Sequence, residues 1–212
     1  MDELMEELIK KNLIWLPELE IGYFPVKENV YDDKYFDKYV EYEDTEIGKC
    51  LITFRVNLVN NITRGRVLDI GIGCGTFIKE REGCVGYDIN PKAVHLLEER
   101  GLFYNPYEED FDEGGITGIT FFDSLEHIKH PERILNKVNK QFVFVSIPIF
   151  KNLEHLLGSK HLREDEHFYY FTERSFIRYM DSFDLKLYDR VRDDEIKCGR
   201  EDIYTFVFRK EV

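Results

Sequence analysis

Residues 66–77 read RVLDIGIGCGTF, and residues 84–88 read CVGYD. A first apolar run thus ends in Gly71, Gly73 and Gly75, and a second ends in Asp88, nineteen residues after Asp69. Glycines directly after a strand permit a tight turn and let the backbone approach a ligand closely. The helix that follows adds free N–H groups at its start. A carboxylate at the end of the next strand stands where it can accept hydrogen bonds from ribose hydroxyls. A bare glycine-rich turn would not need that acid at that spacing. Strand, glycines, helix, strand and acid in this order predict an α/β fold that holds a nucleotide-like cofactor.

The rest of the chain fits that frame. Strands are expected at 66–70, 84–88, 102–104, 118–123 and 141–147, with helices between them. The best-marked helix has Asn90 as N-cap, Pro91 at its first position, Val94 and Leu97 on one face, and Gly101 as its stop. Apolar strands alternating with helices imply a parallel sheet covered on both faces. A helix near 173–183 and strands at 185–191 and 203–209 suggest a terminal antiparallel pair. At the other end, residues 2–11 have an amphipathic helical pattern. A helix after Thr45 is expected to turn Ile47, Leu51, Phe54, Leu58 and Ile62 inward. The expected organisation is one compact unit, with a helical, lid-forming segment (1–62) on a cofactor-binding domain (63–212).

Charge narrows the partners. The 212 residues carry 42 acidic and 29 basic side chains, a net charge of −13. That disfavours non-specific binding to nucleic acid or to an anionic membrane, since phosphate surfaces need a basic footprint. The four cysteines include no C-x-x-C pair, and the opening MDELMEEL is acidic where a secretory leader is basic. The apolar run 142–150 is far shorter than the roughly 20 residues of a spanning helix. These features read as a soluble, cytoplasmic domain.

Glycine spacing selects the ligand. A dinucleotide fingerprint, G-x-G-x-x-G, needs glycine at 76, where Thr76 stands, so a nicotinamide oxidoreductase is the weaker alternative. D-I-G-x-G-x-G instead resembles motif I of the class I S-adenosylmethionine (SAM) dependent methyltransferases. The resemblance extends from residue 66 to about 209. It implies a Rossmann-like, seven-stranded, mostly parallel sheet with helices on both faces and a terminal antiparallel pair. It also implies Asp69 and the Gly71–Gly75 backbone, Ile72 included, around the methionine part of SAM, with Asp88 on the ribose and Ile89 beside the adenine. FFDSLEHIKHPERIL (121–135) resembles the D-x-L-E-H-x-x-x-P segment of the group that includes the ubiquinone-biosynthesis enzymes, placing Asp123, Ser124 and Leu125 beside the cofactor. Pro148 would end the fifth strand of that group. YDDKYF (31–36) resembles a cofactor-covering element, which makes Tyr35 and Phe36 lid and acceptor-side candidates. Asn105 and Tyr107 are adenine-side candidates. Asn105-Pro106-Tyr107 lacks a proline of the amino-methylating N-P-P-Y motif and no Pro-Cys nucleophile follows the fourth strand, so DNA base methylation is disfavoured.

The acceptor side falls to residues 149–175, longer than an ordinary βα loop. They bring Lys160, His161, Arg163 and His167 together with aromatic walls such as Tyr169. The expected acceptor is a small molecule or terminal group carrying an oxygen or nitrogen nucleophile, with Lys160 and Arg163 anchoring an anionic one. His167, then His161 and His127, are the candidate bases. Asp123, Glu126, His127 and His167 also form a metal-ligand pattern similar to the E-x-x-E-H motif of ubiquinone-pathway O-methyltransferases, and REDEHFYYFT (163–172) resembles the R-x-x-D-H-x-F-E-W-T segment of small-RNA 2′-O-methyltransferases. A metal-free base is the preferred reading over a divalent ion, since metal-free relatives share Leu-Glu-His. A metal-assisted RNA methyltransferase and a non-catalytic SAM-binding protein remain the alternatives.

Overall fold

The computed structural model describes residues 12–26, 36, 40–42, 44–192 and 200–210. The helix expected over 2–11, Tyr35 and Cys198 lie outside them. From the N-terminus, β1 (Ile14–Leu16) and β2 (Ile21–Tyr23) form a hairpin. The Thr45 hydroxyl then accepts the Gly48 amide and starts α1 (Glu46–Ile62). The βα alternation follows as β3 (Arg66–Ile70), α2 (Thr76–Glu80), β4 (Cys84–Tyr87), α3 (Pro91–Glu99) and β5 (Ile116–Phe122). Asn90 caps α3 by accepting the Lys92 amide, as its sequence signature required. A 3-10 turn (Leu125–His127), α4 (Glu132–Leu135), β6 (Phe142–Phe150) and α5 (Leu153–Leu157) come next. The chain closes with β7 (Tyr169–Thr172), α6 (Glu173–Asp181), β8 (Leu185–Arg192) and β9 (Ile203–Lys210).

Among the described residues nine strands form one sheet, in the order β1-β2-β7-β6-β5-β3-β4, with β9 on β6 and β8 on β9. The β4-β3-β5-β6 pairs are parallel and the β6-β9-β8 pairs antiparallel, which is the expected Rossmann-like sheet with its terminal pair. Two details differ. The strand expected at 102–104 shrinks to a single bridge between Phe103 and Gly86. In exchange, YYFT (169–172) becomes β7 because β2 supplies its partner, through a pairing that local pattern does not reveal.

Strand β6 changes partners along its length. Phe142–Pro148 pair with β9, while Ile149 and Phe150 pair with β7. Pro148 has no N–H to give and marks the changeover, but the strand continues two residues beyond it. Alternate residues bury on opposite faces. Leu68, Phe121, Val143 and Val145 pack with Phe176 and Met180 of α6, and Val67, Phe122 and Phe144 pack with Ile52, Val59 and Leu97. Each such side chain contributes roughly 1.5–3 kcal/mol by leaving water. Along α1 the buried stripe is Gly48, Leu51, Ile52, Arg55 and Val59, rotated from the predicted one, and Ile47 is 50% exposed. The rotation carries Arg55 inward. Among the described residues, no helix is long and apolar enough to cross a membrane.

Candidate active site

A cavity of about 810 Å³ opens at the carboxyl ends of β3, β4 and β5, beneath α1. The glycine turn forms one wall. Gly71 and Gly73 have φ of +82° and +57°, a region that side-chain-bearing residues rarely adopt. A Cβ on Gly71 would stand 2.5 Å from the Ser124 Cβ, whereas one on Gly73 would meet no atom within 4 Å. Gly71 therefore permits close packing and Gly73 leaves room for a ligand. The Asp88 carboxylate faces this space, accepting the Gly73 amide at 3.2 Å and the Asn90 amide at 2.8 Å. Burial raises its pKa against those donors. Asp69 lines the floor, fully buried, and takes the Thr120 hydroxyl at 2.6 Å. Ile72 also lines the cavity, as does Ile89, 59% exposed beside Asp88. Tyr107 lies edge-on to Tyr87, ring centres 5.6 Å apart, with the Arg133 guanidinium 5.0 Å over its ring.

Four predicted residues stay off the cavity wall. Gly75 caps α2 from outside. Asn105 spends its side-chain oxygen on the Tyr107 amide at 3.1 Å, closing its own turn. Leu125 is buried in the hydrophobic core. Tyr169 donates to the Lys129 carbonyl and stacks on Phe171, away from the space it was expected to wall. Phe36 does line the cavity, with the Lys92 ammonium 5.8 Å over its ring.

Beyond β5, Ser124 donates to the Ile70 carbonyl at 2.5 Å, which ties the 3-10 turn to the glycine turn. Asp123 adopts φ +58°, a strained conformation that aspartate tolerates better than most residues. There its carboxylate meets Arg55 at 2.5 Å and Arg200 at 2.7 Å. Burial alone would raise the pKa of Asp123, but the two guanidinium groups outweigh it and hold it well below the usual range. Arg55 also lies 4.6 Å over the Phe122 ring. Sequence reasoning missed both arginines. A cation inside the apolar stripe of α1 was a usable signal for Arg55, but nothing local marks Arg200, 77 positions from its partner.

Glu126, His127 and His167 gather at the inner end, each offering a ligand atom within 4.8 Å of the others. The two imidazoles are 4.5 Å apart and nearly perpendicular. Glu126 Oε2 is buried with no hydrogen-bond partner among the described residues. Burial and the charge of Asp123 push the Glu126 carboxyl up to about 8. Burial holds His127 down to about 4 and His167 well below an ordinary histidine. Asp123 is engaged by its arginines, so the metal-ligand set foreseen in the sequence narrows to these three. Ligand atoms around one ion lie at most ~4.2 Å apart, twice a bond of ~2.1 Å; a small contraction would let the three share one.

The loop cations are already matched. Lys160 pairs with Glu201 at 3.5 Å and Arg163 with Glu166 at 3.0 Å. His161 Nε2 faces the Glu201 carbonyl at 3.0 Å, so that nitrogen carries the proton and donates it. All three line the cavity.

A family model described as a methyltransferase domain matches residues 42–189. A Methanocaldococcus jannaschii protein of uncharacterised activity is 34% identical over 70 residues, covering 32% of this chain and 34% of that protein; the match thus spans about a third of that relative's length. Among solved structures, the chain resembles the Burkholderia thailandensis 1,6-didemethyltoxoflavin N1-methyltransferase holding its acceptor and S-adenosylhomocysteine. Identity there is 15%, coverage is 94% of this chain and 99% of that one, and the TM-score is 0.55. The magnesium protoporphyrin IX methyltransferase of Synechocystis with bound S-adenosylhomocysteine matches at 12% identity, over 85% of this chain and 96% of its own, with a TM-score of 0.59. At such identities the likeness is one of fold.

Proposed function

The chain belongs to the methyltransferase-domain family, and we propose that it moves a methyl group from SAM to an oxygen or nitrogen nucleophile of a small molecule or terminal group. One observation carries this reading. A single cavity joins the Gly73–Asp88 wall, open enough for a cofactor, to the buried Glu126–His127–His167 cluster. The residues fit SAM: Asp88 keeps lone pairs for ribose hydroxyls, and the side chain that Gly73 lacks leaves the cofactor's space clear. Tyr107 and Ile89 offer apolar surface for a base.

When bound, SAM supplies a methyl group on a positively charged sulfur. The chain's task is to align the acceptor with it, and orientation of this kind can supply much of an acceleration. His167 and His127 are uncharged at neutral pH because they are buried, so either can accept a hydrogen bond or a proton from the acceptor. His161 serves the loop, through the Glu201 carbonyl. Calorimetry with SAM and S-adenosylhomocysteine tests the cofactor assignment, and absence of binding to the folded chain defeats it. Persistent binding with no turnover on any acceptor would favour the non-catalytic alternative.

The unpartnered Glu126 Oε2 and the 4.8 Å cluster favour a second reading, in which Glu126, His127 and His167 hold a divalent ion. Such an ion would lower the pKa of an acceptor hydroxyl and fix its position. Full activity after exhaustive EDTA treatment eliminates this reading. Activity lost to EDTA and restored by Mg²⁺ or Mn²⁺ eliminates the metal-free base.

A further inference from the structure

Resting on the methyltransferase reading, the acceptor's chemical class follows from how the remaining wall is built. Helix α1 presents Ile47, Leu51, Ile52 and Arg55 to the cavity. At 1.5 Å per residue, Ile47 and Arg55 are about 12 Å apart along the axis. Ile47, half exposed, and Tyr42, 39% exposed, stand at the solvent end, and Leu51 and Ile52 are buried deeper. Phe168 and Ile203 add apolar surface to the same space.

The loop cations that could have drawn an anion are each beside a carboxylate, and Lys129, which also lines the cavity, is exposed to solvent. Lys160 has Glu201 and Arg163 has Glu166, so an incoming anion would have to displace a resident one. Exposed pairs of this kind are weak, but together they leave the loop without net charge to offer. The exception is Asp123, where two guanidinium groups share one carboxylate. Both guanidinium groups are bonded to that carboxylate, so an anion reaching them would have to compete with the resident Asp123. A cavity of about 810 Å³ is near the upper end of the roughly 300–1,000 Å³ usual for ligand sites, leaving room beside a cofactor.

We infer that the acceptor is an uncharged molecule with an apolar, aromatic-sized body. The body lies along Ile47, Leu51 and Ile52 against Phe168, and its nucleophile reaches Glu126, His127 and His167. An apolar wall gains from burying such a body at roughly 25 cal/mol per Å², and it offers nothing to replace the water around a carboxylate or phosphate.

The test uses the full chain saturated with S-adenosylhomocysteine, with binding read by calorimetry. The probes are 2-naphthol and 2-naphthylamine against 6-hydroxy-2-naphthoate and 2-naphthyl phosphate. The uncharged pair is expected to bind at least tenfold more tightly than the anions. Ile47→Asp, at a half-exposed position that the fold can spare, is expected to weaken the uncharged probes about tenfold and leave S-adenosylhomocysteine affinity unchanged. Anions binding as tightly as the uncharged probes, or no binding of the uncharged probes to the loaded chain, overturns the inference. Failure of S-adenosylhomocysteine itself to bind overturns the methyltransferase reading instead, so the two failures are distinguishable.

Discussion

The two ends of the cavity are built by opposite means. At the cofactor end, residues 69–90 supply the floor, the turn, the carboxylate and the helix start from one stretch of chain. Their geometry rests on backbone groups: glycines at positive φ and two amides held by Asp88. At the acceptor end the working side chains arrive from α1, the 3-10 turn, the loop before β7 and the segment before β9, joined by pairs such as Arg55–Asp123 and Arg200–Asp123. The first end tolerates change around it because its shape is local. The second depends on side-chain charges and on burial, so single substitutions there should alter chemistry and stability together.

The hardest break at the cofactor end is Gly73→Val. Its branch would enter space now clear of protein atoms, so SAM binding is expected to vanish from calorimetry. The fold should lose little beyond the ~1–2 kcal/mol of a side-chain-bearing residue in the left-handed region, and Gly73→Ala measures that strain separately by thermal melting. Wild-type affinity in the valine variant would mean that the turn is purely structural. Asp88→Ala should follow, with SAM affinity lower by roughly ten- to a hundredfold, the worth of hydrogen bonds to a charged group. An unchanged dissociation constant in the folded variant would remove the ribose assignment.

At the acceptor end the sharper probe is pH. Burial lifts Glu126 to about 8, while unfolded glutamates titrate near ~4.3. Between those values the folded chain keeps a proton that the unfolded chain has lost, so stability is full below the lower value and declines as pH rises toward the upper. Glu126→Gln cannot ionise. It should melt roughly 5–10 °C above the wild type at pH 8.5 and level with it at pH 4.5. Mn²⁺ that raises the wild-type midpoint but not that of Glu126→Gln would assign the cluster to metal; no response in either would leave it as base and positioning groups. The smallest effect is expected from Lys160→Ala with Arg163→Ala. Because both cations are already paired, acceptor KM should change by no more than about threefold. A tenfold rise would restore the anionic anchor that the loop's composition first suggested.

The same contrast explains what could be read without coordinates. Asp69, Gly71, Gly73, Asp88 and the Asn90 cap lie in contiguous sequence whose pattern encodes strand, turn and helix directly. Glu126, His127 and His167 were legible as residue types, but only folding shows that they converge while Asp123 turns away to Arg55 and Arg200. Tyr169 misled because an aromatic in a long loop reads as a wall, whereas pairing with β2 makes it part of a strand. Asn105 misled for a local reason: asparagine satisfies its own turn before it reaches a ligand.

The divided strand β6 bears on how such a protein could acquire a new specificity. In the sheet, among the described residues, only Ile149–Phe171 and Phe150–Thr172 join the β7–β2–β1 extension to the remaining strands. A lineage could therefore lengthen, replace or discard that extension by renegotiating two residue pairs, while Phe142–Pro148 keep their ladder with β9 and the cofactor floor stays untouched. Divergence of acceptors would then proceed by exchange of a graftable edge, with the inherited sheet as its constant socket.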